Sequence, residues 1–396
     1  MKIGYFLVFS LALGFKALAQ DSTKANVGTF TFSGYLDSYY FANLNNPASR
    51  SNLGAAGTAR AFDQKSGQFS LGLVQTKINY VNDKSEAVVD LTFGPNSDLG
   101  NYGNVLSPNT GAGTSTSLAI KQAYFNYKAT DKLTFTAGQF GTHIGYEVID
   151  APINYNYSLS NLFNNGPFYH IGLKANYAFS DKVALMAGVV NNVDNLNDNN
   201  RSKGVISQLF VSPLKGWNVY VNWIGSNEAN PEDDAKESSG NFYNLIDLTT
   251  TYQVSDKFFV GLNAAYGSQK GSFQGTGFGS DSGLVSKEWG GVALYSNYAI
   301  SDKVGLGIRL ETFDNTGGSR GLLNRNGEGT TVNSFTLTSN ITLANGHLLL
   351  KPEVRLDMYK KLSGEENKEN QQFEDEDGDF TKDSQTTIGL AAIYKF

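Results

Sequence analysis

From about residue 30 to the C-terminus, apolar and polar residues alternate one by one through stretch after stretch. Ahead of Asp181, Ile171, Leu173, Ala175, Tyr177 and Phe179 take one face, while His170, Gly172, Lys174 and Asn176 take the other. Beyond Asp302, Val304, Leu306, Ile308 and Leu310 alternate with Gly305, Gly307, Arg309 and Glu311. A period of two predicts strands, because successive side chains of an extended chain point to opposite sides. The strings NYAFSDKVAL (176–185) and NYAISDKVGL (297–306) repeat one unit, and related copies occur at 126–135, 251–260 and 79–88. In the four close copies a Tyr (Tyr127, Tyr177, Tyr252, Tyr298) stands four residues before the Asp. Each unit reads as a hairpin with a short polar turn, where Asp and its neighbours tolerate the required dihedrals.

Turns of this kind fall near Asp83, Asp131, Asp181, Lys215, Asp256, Asp302 and Gly346, with longer polar segments between them. Seven hairpins, one strand before them (30–41) and one after (386–396) predict about sixteen strands. Several run roughly nine to eleven residues, the length a tilted strand needs to cross a bilayer and longer than is usual in a soluble sandwich. A propeller would repeat by four-stranded blades, whereas here the repeat is a hairpin. The fold class expected is therefore all-β: a transmembrane antiparallel up-and-down barrel with short periplasmic turns and long extracellular loops. Its lipid face would carry residues such as Trp217, Val219, Val221 and Trp223, and the four turn-proximal tyrosines would form an aromatic girdle.

The N-terminus modifies this picture only in where the chain goes. Lys2, an apolar run over 3–15 and Ala17-Leu18-Ala19 predict a cleaved signal peptide over 1–19, leaving 20–396 as the barrel. About ten residues then precede the first strand, too few for a plug domain or the hatch of a long-chain-lipid transporter. No later stretch approaches a transmembrane helix. Charged residues make up only 17%, the formal net charge is −6 and there is no Cys, which excludes disulfides and thiolate chemistry and disfavours nucleic acid as a partner.

The terminal stretch TIGLAAIYKF puts Ile388, Leu390, Ala392, Tyr394 and Phe396 on one face and resembles the last strand by which outer-membrane proteins are recognised for barrel assembly. With FSGYLDSYY (32–40), IKQAYFNY (120–127), AGQFGTHIGYEVID (137–150) and NYNYSLSNLF (154–163), it makes the chain similar to the OmpL-like β-barrel porin family of Gram-negative bacteria. The resemblance implies an outer-membrane pore without naming a solute, and leaves open whether barrels associate as trimers.

About sixteen strands are wide enough to enclose water, whereas eight would leave a packed interior. Inward positions carry Glu86, Asp90, Lys174, Asp247, Arg309, Glu311 and the run Lys351, Glu353, Arg355, Asp357, with Ser334, Thr336, Thr338 and Asn340 between the last two groups. These charges admit two readings, a wall-bracing network of ion pairs or a transverse field that orients dipolar solutes. The segment 141–168 is long for a plain connection and rich in Tyr, Phe and Ile. It is expected either to fold into the lumen as a constriction, presenting Glu147, Asp150, Tyr155 and Tyr157, or to pack outward as a cap.

Signs of other chemistry are sparse. His143 lies four residues before Glu147 but without the paired His of a zinc-protease helix, and GGSRG around Ser319 lacks the strand-to-helix elbow its pattern requires. His170 is assigned to a lumen face and His347 to a turn. The acidic stretch after Tyr359, like that around 231–234, reads as a solvated outer loop. Asp375, Asp377 and Asp379 give a candidate for loose calcium bridging to lipopolysaccharide or a neighbouring loop, without the glycine and terminal Glu of an EF-hand. The resulting expectation is a cofactor-free, non-enzymatic outer-membrane porin for passive diffusion of small hydrophilic solutes. Its partners would be outer-membrane lipid, lipopolysaccharide and the barrel-assembly machinery. A loop-plugged barrel acting as a surface binding or adhesion protein is the alternative.

Overall fold

The computed structural model describes residues 28–396, apart from 101–118, 192, 195, 197, 199–201, 228–241 and 271–286. The signal-peptide segment and the acidic residues 231–234 thus lie outside the described residues.

Sixteen antiparallel strands form one closed barrel. In chain order they are β1 (Thr29–Asn43), β2 (Gln68–Val81), β3 (Ser85–Phe93), β4 (Ile120–Lys128), β5 (Leu133–Gly141), β6 (Tyr169–Ser180), β7 (Val183–Val190) and β8 (Gly204–Val211). The second half comprises β9 (Trp217–Ser226), β10 (Tyr243–Ser255), β11 (Phe258–Gln269), β12 (Lys287–Ser301), β13 (Val304–Asp314), β14 (Thr331–Leu343), β15 (Leu348–Tyr359) and β16 (Ser384–Lys395). Each strand pairs with its sequence neighbours, and β1 closes on β16 from Tyr35 opposite Lys395 to Asn43 opposite Thr387. The Phe396 amide donates to the Gly34 carbonyl (3.0 Å), and the Gly34 amide donates back (3.1 Å), so the last residue is part of the seam. Closure leaves no strand edge unpaired, which is what a sheet in lipid requires.

All seven predicted turns lie between paired strands at one end, and the longer connections leave the other. The turn chemistry is visible at 181–182 and 302–303, where the Ser180 and Ser301 hydroxyls accept the Lys182 and Lys303 amides. The turn before β15 instead uses a short 3-10 segment whose Ala344, Asn345 and Gly346 all have positive φ.

Alternation becomes two faces. Phe30, Phe69, Leu173, Leu294 and Ile388 are exposed on the outside, as are the turn-side Tyr127, Tyr177, Tyr252 and Tyr298. The inner positions Asp37, Asp247, Arg309, Thr336 and Arg355 are buried. A soluble barrel would invert this arrangement; an apolar outside and a polar inside suit lipid around water.

Two irregularities change what points inward. A bulge lies between the pairs Asp90–Gln122 and Leu91–Ile120, so Lys121 has no partner on β3. Both Lys121 and Gln122 then reach Asp90 inside the barrel (3.3 and 3.2 Å), breaking the simple alternation. At Pro352 of β15 the ladder to β14 is interrupted between Glu353 and Leu350. Proline has no amide to donate there.

Candidate functional site: the inserted segment and the channel beside it

The connection 142–168 between β5 and β6 folds into the lumen, and the wall residues that hold it are the charges noted in the sequence. Arg309 of β13 is fully buried and its Nη1 donates to Glu147 Oε1 and to the Ser158 carbonyl, each at 2.6 Å. The other Glu147 oxygen accepts the Ser160 amide (2.7 Å). Glu353 of β15 takes the Tyr157 and Ser158 amides (2.7 and 3.0 Å) and the Thr338 hydroxyl of β14. Arg355 donates to the Leu159 carbonyl (2.7 Å), and Lys351 to those of Ala151 (2.9 Å) and Asn154.

Inside the segment, a one-turn helix α2 (Asn161–Asn165) follows α1 (Pro95–Gly100) of the preceding long connection. Ser160 caps α2 by accepting the Phe163 amide (3.0 Å), while Glu311 takes the Asn161 and Leu162 amides (3.0 and 2.8 Å). The backbone groups of an irregular segment at membrane depth must find partners in protein, and here wall carboxylates and guanidinium groups supply them.

Packing follows the same contour. Tyr157 lies against Tyr39 and Phe41 of β1, and Tyr146 stacks on Tyr295 of β12 with ring centroids 4.1 Å apart. Tyr155 sits against Phe259 of β11, and its carbonyl accepts Asn340 Nδ2 (2.9 Å) opposite the Pro352 interruption. Gly307 of β13 makes room for Tyr155, since a Cβ there would lie 3.0 Å from both its Cβ and its carbonyl oxygen. Gly307→Val should therefore lift the segment off the wall, lowering stability by about 1–3 kcal/mol. The unfolding midpoint and proteolysis within 142–168 would report it, and native-like values for both would contradict the close approach.

Glu147, Asp150, Tyr155 and Tyr157 are all on the inserted segment. Arg309, Glu311, Lys351, Glu353, Arg355 and Asp357 face inward, but they are buried under the segment or the first long connection and do not face open water. Of the two readings of these charges, the contacts favour bracing: Arg309, Glu311, Lys351, Glu353 and Arg355 bond the insert, while Asp357 pairs with Arg60 and Arg355. Asp247 likewise receives the Gly145 amide (3.2 Å) and the Asn222 side chain (2.7 Å). Lys174 is half-buried with its ammonium over the Phe140 ring (4.2 Å). Glu86 accepts Asn126 Nδ2 (2.7 Å).

Three contributors escaped sequence reasoning. Arg60, on the connection between β1 and β2, is buried and bridges Asp357 (2.9 Å) and Asp63 (2.5 Å) while donating to Thr387 (2.9 Å). Asp37 accepts the Leu73 amide beside a register shift in the β1–β2 ladder. Lys121, turned inward by its bulge, binds Asp150 (2.6 Å), which also accepts Gln75 (2.8 Å). An acidic residue in the aromatic string YLDSYY was the one available signal for Asp37.

Space remains on the opposite side. A cavity of about 610 Å³ lies between the insert and strands β3–β6 and β8–β10, lined among others by Lys121, Gln122, Tyr146, Gln208, Tyr220 and Thr251. His143 borders it, with Nε2 3.0 Å from the Trp223 carbonyl. Burial pushes its pKa down to about 4, so the ring is neutral at ordinary pH.

The calcium candidates Asp375, Asp377 and Asp379 lie on the connection between β15 and β16. Asp375 Oδ1 accepts the Asp377 and Asp379 amides (3.2 and 3.0 Å) and Oδ2 the Thr381 hydroxyl, which lowers its pKa. Its oxygens serve their own loop, and no cluster of acids or histidines able to hold a metal occurs among the described residues.

The chain matches known proteins in two ways. The model of the family described as "Putative beta-barrel porin-2, OmpL-like" matches residues 29–396. The chain belongs to that porin family. Solved structures share the fold of this OmpL-like barrel at low identity. The outer-membrane channel DcaP of Acinetobacter baumannii is 14% identical with a TM-score of 0.55, over 93% of this chain and 97% of its own. An anion-selective porin from Comamonas acidovorans is 10% identical (TM-score 0.55, 93% and 100% covered). OmpT of Vibrio cholerae, described in a trimer form, is 12% identical (TM-score 0.53, 93% and 100% covered). No curated protein matches the OmpL-like chain by sequence.

Proposed function

We propose that the chain is an outer-membrane porin through which small hydrophilic solutes diffuse passively, along the space between the inserted segment and the β3–β10 wall. The observation that carries this is the combination of a closed sixteen-stranded barrel with an insert that leaves about 610 Å³ of partly polar lumen open beside it. Family membership supports the same reading. The signal peptide over 1–19, assembly through the strand ending at Phe396 and contact with lipopolysaccharide belong to it. So does a homotrimer, the form described for the Vibrio cholerae OmpT. Catalysis does not, since His143 is engaged by the Trp223 carbonyl and the Ser319 hydroxyl by Asn315 (3.4 Å).

The dense bonding of the insert is what favours the second reading, a plugged barrel whose outer loops bind a partner. Planar-bilayer recording of the refolded protein separates the two. Stable ohmic channels are expected, and a barrel that inserts without conducting would overturn the porin reading.

A further inference from the structure

Among the described residues, the ions at the surface of the cavity beside the insert are compensated within hydrogen-bonding distance. Lys121 is shared between Asp150 and Asp90, and Glu147 is held by Arg309. What the lining offers instead is amides, hydroxyls and aromatic rings. Gln122, Gln208, Asn222 and Thr249 contribute the polar atoms, and Tyr146 and Phe163 the rings. Two hydroxyls, those of Tyr220 on β9 and Thr251 on β10, line the cavity and have no protein hydrogen-bond partner among the described residues.

A surface of this kind discriminates by hydrogen bonding and apolar contact, since a free ion moving into it would lose hydration without gaining an opposite charge. Solutes that match are uncharged and carry many hydroxyls around an otherwise apolar ring skeleton. Their hydroxyls exchange bonds with amides and hydroxyls, and their C–H faces lie on aromatic rings. The volume is within the range of small-ligand sites and large enough for a two-ring solute.

We infer that the cavity is a binding subsite for neutral saccharides of one or two rings, so that this porin favours sugars over charged solutes of like size. The inference rests on the porin reading and specifies its solute class.

The test uses the full-length barrel refolded into planar bilayers, with potassium chloride carrying the current. Sucrose and maltose serve as neutral probes, and glucuronate and lysine as charged ones. The neutral sugars are expected to interrupt the open-channel current in a saturable way, and the charged probes to do so at least about tenfold more weakly. In the Tyr220→Phe/Thr251→Val double variant, which removes only the two hydroxyls and keeps side-chain shape, the apparent sugar affinity should fall roughly fivefold or more. Channels that open but ignore both sugars, or that are blocked equally by the charged probes, would overturn the saccharide inference and leave the porin intact. A double variant with unchanged sugar affinity would remove the subsite from this wall and overturn the assignment. Absence of any channel would sink the porin reading and this inference with it.

Discussion

Deleting residues 148–158 is expected to raise single-channel conductance at least about twofold and to admit larger solutes, because a barrel of about sixteen strands encloses a wide channel once unobstructed. The deleted stretch carries Asp150, Tyr155 and Tyr157, and with them contacts to Lys121 of β4, Asn340 of β14 and Phe41 of β1. Its removal also exposes Lys351 and Glu353, whose present partners are the Ala151 and Asn154 carbonyls and the Tyr157 and Ser158 amides. The enlarged pore should thus become more sensitive to solute charge as well as wider. Glu147 and Arg309 remain, so the shortened connection keeps an anchor at its start. Bilayer recording on the refolded deletion variant, with graded neutral polymers to size the opening, provides the measurement. An unchanged conductance would show that the segment does not set the width of the path.

The second large effect concerns Arg309. It is fully buried, its Nη1 serves Glu147 and the Ser158 carbonyl, and Nη2 reaches Thr336 (3.2 Å). Arg309→Met keeps most of the volume but removes the positive charge, leaving Glu147 buried without its ion-pair partner. Removing one member of a buried pair costs about 3–5 kcal/mol, much more than the pair contributes relative to apolar replacements. We therefore expect a marked fall in the urea midpoint of the refolded barrel, with new protease cleavage inside 142–168. Adding Glu147→Gln should recover a large part of the loss, since the double variant no longer buries that unpaired charge. A single variant as stable as the native barrel would mean that water reaches Glu147. No recovery in the double variant would place the cost with Ser158 and Thr336 instead.

Much of the barrel was legible because its governing constraint is local. A strand between lipid and lumen must alternate at every step, and a tight turn must use residues such as Ser180-Asp181-Lys182 whose side chains can bond their own backbone. Strand limits shifted by only a residue or two at the seam, where pairing runs from Tyr35 out to Asn43 opposite Thr387. The interior was less legible, because its bonds join residues far apart in sequence. Nothing near Arg60 announces Asp357, 297 residues away. Lys121 was hidden for a different reason: a bulge suspends alternation at that residue, so an outward position by parity becomes an inward one. The charges on β13 and β15 were visible as inward, but only the path of 142–168 reveals that they face peptide groups.

That path has a consequence in time. The segment lies between the fifth and sixth strands, yet its principal anchors, Arg309, Glu311, Lys351, Glu353 and Arg355, belong to the thirteenth and fifteenth. A chain threaded into the membrane from its N-terminal side would hold the segment without those partners until nearly the whole wall was in place. A seam closed from the other end would present the anchors with nothing to bind. In either order the segment is fully seated only when β1, which packs on Tyr157, and β15, which holds its backbone, are both present, at the earliest one strand short of closure.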